Sequence, residues 1–154
     1  MTELAKFLDS NNFFMAAKIV RSSDGIPLIF EIEPDFKAKG AKDACRGWVY
    51  AWVNVSMKTP IDVKYVGKVG QTQAFKDRCA QHQRGFYTCL AGKKNAERIK
   101  SFFSNNPSNE IFVYARNSNF GSEFGTDGVS MCEFEEMALI KKFKADNYDL
   151  WNFA

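Results

Sequence analysis

The chemistry-bearing residues form a short series along the chain: Tyr50, Tyr65, Arg78, His82 and Glu136. Glu136 lies in the run CEFEEMALIKKFK, whose spacing predicts a helix over about residues 132 to 144. At roughly 100° per residue, Cys132, Leu139, Phe143, Ile140 and Met137 fill one apolar arc, and Glu136 falls at about 40°, in its middle. A carboxylate buried there without a partner costs several kcal/mol, so Glu136 requires a cation, either a basic side chain or a metal ion. Glu133 sits near the edge of the arc, and Glu135 is expected to face solvent. In FKDRCAQHQR, Arg78 and His82 are four residues apart and share a helix face. A permanently charged guanidinium beside an imidazole suits a phosphate that gains negative charge during attack. His82 is the sole histidine, and its alternative is a structural role. Tyr50 and Tyr65 fall in strand-like runs, where a tyrosine packs its ring and leaves its hydroxyl at a polar edge.

The elements that position these groups follow from the pattern. GWVYAWVNV and VKYVGKVG read as two strands joined by a turn over Met57 to Pro60, an antiparallel hairpin. A helix follows over about Phe75 to Arg84, stopped by Gly85, and another over about Asn95 to Phe103. IFVYARN is a third strand, and the glycine-rich NSNFGSEFGTDG is a loop. Upstream, LAKFL and FFMAAKIV each fit a helical turn or two, and IPLIFEIEP, after a turn at Asp24-Gly25, alternates like a half-buried strand. FKAKGAKDACR is a basic connector into the central block. The expected fold is α+β, a small three-stranded mixed or antiparallel sheet flanked by helices. Residues 1–45 form an N-terminal elaboration packed on the same domain as residues 46–154.

At 154 residues there is room for about one domain. No apolar run approaches the roughly 18 residues of a membrane-spanning helix, and the start lacks a basic flank before an apolar stretch. The four cysteines contain no C-x-x-C pair, which predicts reduced thiols in a cytoplasmic protein rather than a zinc site or a disulfide framework. Net charge is only +3, yet residues 37 to 100 carry fourteen Lys or Arg against four acids, an excess of +10. Clustered bases of this kind either bind a polyanion or form a solvated surface.

In the order Tyr, Tyr-x-Gly, Arg-x-x-x-His, Glu, the set resembles the GIY-YIG nuclease family. Trp48-Val49-Tyr50 stands where G-I-Y is expected, with Gly47 one place early, and Tyr65-Val66-Gly67 stands for Y-I-G. Phe75-x-x-Arg78-x-x-x-His82 resembles the family's Arg helix and Glu136-x-x-Leu139-Ile140-Lys141 its Glu helix. Leu150-Trp151-Asn152 resembles its closing segment. The resemblance covers about residues 46 to 153. Fifteen positions from Tyr50 to Tyr65 imply a long hairpin loop, and the 53 residues between His82 and Glu136 imply an insertion with an extra helix.

The resemblance implies hydrolysis of DNA phosphodiester bonds with one divalent metal, Mg2+ or in its place Mn2+, held by Glu136. Tyr50 would be the general base, needing a nearby cation such as Lys64 or Lys68 because a free tyrosine titrates near pH 10. Arg78 would stabilise the transition state, Tyr65 and His82 would position phosphate or water, and Asn152 would orient groups around the metal. Which of Tyr50, Tyr65 and His82 takes the proton differs within the family. Lys68, Arg84, Lys93, Lys94, Arg98 and Lys100 would grip double-stranded DNA without reading bases. A single centre cuts one strand, so a double-strand break needs a homodimer or two events. The alternatives are a nucleic-acid-binding module that does not cut, and an interaction protein in which Glu136 and Arg78 simply pair.

Overall fold

The computed structural model describes residues 1–21, 28–36 and 46–153; the Asp24-Gly25 turn and most of the basic connector lie outside them. In chain order the elements are α1 (Glu3–Ser10), β1 (Phe14–Val20), β2 (Ile29–Ile32), β3 (Trp48–Ser56), β4 (Thr59–Val69), α2 (Phe75–Thr88), α3 (Leu90–Asn105), β5 (Asn109–Asn117), β6 (Phe120–Glu123), β7 (Thr126–Ser130) and α4 (Cys132–Ala145), closed by a 3₁₀ turn at Trp151–Phe153. The α+β class holds, but among the described residues the main sheet has five strands, in the order β2-β1-β5-β3-β4, rather than three. Every pairing within it is antiparallel. The two additional strands come from the N-terminal segment. FFMAAKIV forms β1, and its backbone pairs with β5 from Phe14 opposite Ala115 to Ile19 opposite Ile111. Ala17 is paired on both sides, with Ile32 and Val113, and Ala16, at the bulge facing β5, accepts from Glu33 N at 2.9 Å; these contacts override the helical preference of the two alanines.

β3 is buried from Trp48 through Val55 because helices cover both faces of the sheet. Trp48, Tyr50 and Trp52 point into a core shared with Phe75, Cys79 and Phe86 of α2 and Ile99 of α3. Val49, Ala51, Val53 and Val55 point the other way, to Leu4 and Leu8 of α1 and Leu139 and Phe143 of α4. Two residues, Met57 and Lys58, make the whole β3–β4 turn, both with positive φ. The wide spacing of the tyrosines is therefore taken up by long strands with two register shifts, not by the long loop expected.

Three further expectations are corrected. α2 runs through Gly85 to Thr88, and Gly85 is instead where Gly92 of α3 lies against the α2 backbone, too close for a side chain. α3 begins at Leu90, its first turn held by Cys89 Sγ accepting from Gly92 N at 3.3 Å. The segment read as a glycine-rich loop contains a second, two-stranded sheet, β6–β7.

Candidate active site

Tyr50 sits opposite Gly67 across the β3–β4 ladder, and its ring lies so close over that glycine that a Cβ there would strike the phenol. The Tyr-x-Gly spacing thus clears a space on β4 for the ring from β3. Tyr65 is opposite Trp52 and stacks on it at 4.3 Å between centroids, so both tyrosines stand on the face covered by α2. α2 buries Phe75, Cys79 and Phe86, which leaves Arg78 and His82 half-buried along the rim of that apolar stripe and turned toward the tyrosines.

The contacts are close. Tyr50 Oη and His82 Nε2 are 2.6 Å apart, and Arg78 Nε donates to Tyr50 Oη at 3.3 Å. Because Arg78 supplies a hydrogen to the phenol oxygen, the phenol's own hydrogen is free to point at His82 Nε2, the assignment we adopt for the tautomer. The imidazole lies edge-on to Trp52 at 5.1 Å and Tyr65 at 5.5 Å, and Phe30 of β2 stacks on it at 6.0 Å. Burial in this aromatic box, helped by the Arg78 charge, pushes the His82 pKa down to about 3, so the ring is neutral near pH 7. Burial raises Tyr50 far above an ordinary phenol, against the opposing pull of Arg78, and raises Tyr65 for the same reason.

Glu136 approaches from α4, which packs against β4 and β3. It is half-buried, and among the described residues it makes no hydrogen bond or ion pair. Desolvation raises its pKa although Lys68 and Arg78 pull it down, and Glu136 in turn raises Tyr65. Glu136 is therefore electrostatically coupled to the Tyr65–Arg78 group. One turn earlier on the same helix, Glu133 binds Lys68 at 2.8 Å, an exposed pair. No cluster of three or more His, Cys, Asp or Glu occurs among the described residues. A lone carboxylate nevertheless fits Mg2+, which retains waters and takes one or two carboxylates together with substrate phosphate oxygens.

The structure brings together Tyr50, Tyr65, Arg78 and His82, with Glu136 and Lys68 beside them. It assigns other contacts to the rest. Asn152 accepts from Val66 N at 2.9 Å and donates to Val66 O at 2.6 Å, so its amide covers the outer edge of β4. Arg98 donates to Trp151 O at 2.9 Å and holds the closing segment. Lys64 pairs with Asp62 at 3.4 Å, and the cation beside Tyr50 is Arg78 rather than either lysine. Arg84, Lys93, Lys94 and Lys100 are exposed on α2 and α3.

Cys132, Leu139 and Phe143 are buried as the helical wheel placed them, but two of its assignments are corrected. Glu135, expected in solvent, is buried, and its Oε2 meets Arg116 Nη2 at 2.6 Å and Asn119 N at 3.2 Å. Met137, expected inside, is 70% exposed. Sequence reasoning also missed Trp52 and Phe30 as walls of the His82 box, together with Gln83, whose Oε1 accepts from Phe30 N at 3.1 Å and ties β2 to α2. The alternation in IPLIFEIEP marked the strand but not its neighbour.

No protein-family model and no curated protein matches the chain. A solved structure, restriction endonuclease HPY188I in complex with product DNA, aligns with 94% of this chain and 81% of its own, at 16% identity and a TM-score of 0.42. That likeness is too distant to assign either fold or function. No helix among the described residues is long and apolar enough to cross a membrane.

Proposed function

We propose that the protein is a metal-dependent endonuclease that hydrolyses DNA phosphodiester bonds at the Tyr50–His82–Arg78 cluster, with Glu136 holding the metal. The observation that carries this reading is the 2.6 Å contact between Tyr50 Oη and a neutral His82, with Arg78 on the same phenol oxygen and an unpaired carboxylate coupled to the group. The ordered motifs of the GIY-YIG family support it from the sequence. Mg2+, or Mn2+ in its place, would be held by Glu136 and would supply charge stabilisation to the phosphate and the leaving oxygen.

The protein's own groups do the rest. Arg78 binds the phosphate and neutralises charge that accumulates as the water oxygen bonds to phosphorus and the bond to the leaving oxygen breaks. In the resting site Tyr50 and His82 are both neutral, and Tyr50 Oη can take a proton from the attacking water only as its own proton passes to His82 Nε2. An arriving phosphate offsets the Arg78 charge that opposes an imidazolium, which favours this transfer in the complex. Tyr65 stands beside Tyr50 and His82, 6.4 Å and 5.5 Å between ring centroids, and orients the phosphate or the water. Arg84, Lys93, Lys94 and Lys100 supply non-specific grip, so DNA affinity should fall steeply with salt. A module that binds without cutting would need none of the Tyr50–His82 geometry.

The test is plasmid DNA incubated with the full chain and Mg2+. Nicked or linear product from wild type, absent with EDTA and absent from a folded Glu136→Ala, is the expected result. Intact plasmid across Mg2+ and Mn2+ at low salt, with DNA still bound, would instead make the protein a binding module.

A further inference from the structure

The β6–β7 ribbon ends in a two-residue turn, Phe124-Gly125, between the paired residues Glu123 and Thr126. Both turn residues have positive φ, 53° and 75°. Asn, Asp and Gly suit such a turn, and a bulky aromatic does not. The Phe124 ring is fully exposed at 101%, so it gains no burial in return. The β3–β4 turn has the same backbone, with Met57 92% exposed, so an apolar residue in such a turn is not by itself a signal. What separates the two is where each is rooted.

Met57 lies at the end of the β3–β4 hairpin remote from Tyr50. The β6–β7 ribbon is anchored at the site. Gln71, on the connection between the strand carrying Tyr65 and the helix carrying Arg78, donates to Gly128 O at 2.8 Å and accepts from Ser130 N at 3.2 Å. Ser130 Oγ donates to Arg46 O at 2.8 Å, next to the start of β3. From Ser130 the chain passes directly into α4 and Glu136. The ribbon's root is therefore tied to the end of the strand that carries Tyr65 and to the start of the strand that carries Tyr50.

We propose that this ribbon is a wedge for the DNA duplex and that Phe124 inserts between adjacent bases beside the phosphodiester being cut. The inference rests on DNA being the ligand of the neighbouring site. A single flat ring flanked by Ser122, Gly125 and Thr126 has the thickness of one base step, and apolar wedges of this kind unstack and kink DNA. The ribbon's other exposed apolar residues, Phe120 and Val129, stand at its root, so the ring is the one apolar side chain at the tip among the described residues. Glu123 flanks the blade and does not attract phosphates, so the pull comes from Arg46, whose guanidinium lies over the Phe120 ring at the root.

The test uses duplexes carrying one 2-aminopurine at successive positions, bound by the full chain in EDTA. Wild type should raise the fluorescence at least about twofold at one or two adjacent positions, as for an unstacked base. Phe124→Asn, a better turn former that should fold at least as well, should bind with affinity within about tenfold of wild type yet lose the rise, and Phe124→Trp should restore it. Glu136→Gln should keep the rise. Cleavage by wild type without any rise, or an equal rise with Phe124→Asn, would overturn the wedge and leave the hydrolytic reading standing. A rise with no cleavage would remove the hydrolytic reading alone. Sedimentation showing a DNA-free dimer that Phe124→Asn dissociates would make the ring a subunit contact and overturn the proposal.

Discussion

Glu135 and Glu136 are adjacent on α4 and have opposite surroundings. Glu135 is buried, paired with Arg116 at 2.6 Å and bonded to the backbone at Asn119, while Arg116 Nη1 also donates to Asn11 O at 3.3 Å. It joins α4 to β5 and to the end of α1. Glu136 is half-buried, unpaired among the described residues and held above the ordinary carboxylate pKa by desolvation. The carboxylate that serves the fold has its charge paired, through Oε2 alone since Oε1 is buried without a hydrogen-bond partner, whereas one kept for a ligand carries an unmet electrostatic cost until the ligand arrives.

Denaturant melts of the two alanine variants break this pair most forcefully. Glu135→Ala strands Arg116 and should cost about 3–5 kcal/mol. Glu136→Ala removes an uncompensated charge and should leave stability unchanged or higher; an equal loss in both would erase the distinction. Tyr50→Phe extends the contrast to the other side of the site. It keeps the ring over Gly67 and loses the hydroxyl, so cleavage should fall about 10²–10⁴-fold in single-turnover kinetics with little change in the melting temperature.

A smaller effect comes with pH. The folded pKa of His82 is about 3 against 6.5 for an unperturbed imidazole, so the unfolded chain takes up the proton first. Its contribution is complete above pH 6.5 and is lost as pH falls toward 3, amounting to roughly 2 kcal/mol already by pH 5. Denaturant melts at pH 7 and pH 5 should show that loss in wild type and not in His82→Phe. The smallest change is expected from Asn152→Ala, about 1 kcal/mol of stability through the uncovered Val66 backbone at the sheet edge, with the folded protein's cleavage rate kept. A rate loss without destabilisation would return Asn152 to the metal site that the family resemblance implied.

The cluster was legible in the sequence because its members carry strong local signals. Arg78 and His82 share a helix face by spacing, and Gly67 two residues after Tyr65 marks the gap in which the Tyr50 ring rests. α4 was less legible because its apolar residues lie all round: Phe134 and Met137 are exposed while Leu139 and Phe143 are inside. Its wheel alone could not say whether Glu135 or Glu136 turned inward. β1 was misread because alanines favour a helix in isolation, and pairing with β2 and with β5, the latter almost a hundred residues later, fixes it as a strand. Asn152 drew its expected role from the motif alone, and the edge of β4 that occupies its amide is a tertiary feature that no local spacing reveals.

The most direct measurement is single-turnover cleavage of one duplex in Mg2+ by Glu136→Gln and Glu135→Gln side by side, corrected for the folded fraction of each. The account predicts wild-type rates from folded Glu135→Gln and a loss of at least about 10²-fold from a fully folded Glu136→Gln. Undiminished cleavage by Glu136→Gln, or loss of cleavage in folded Glu135→Gln alone, would contradict it.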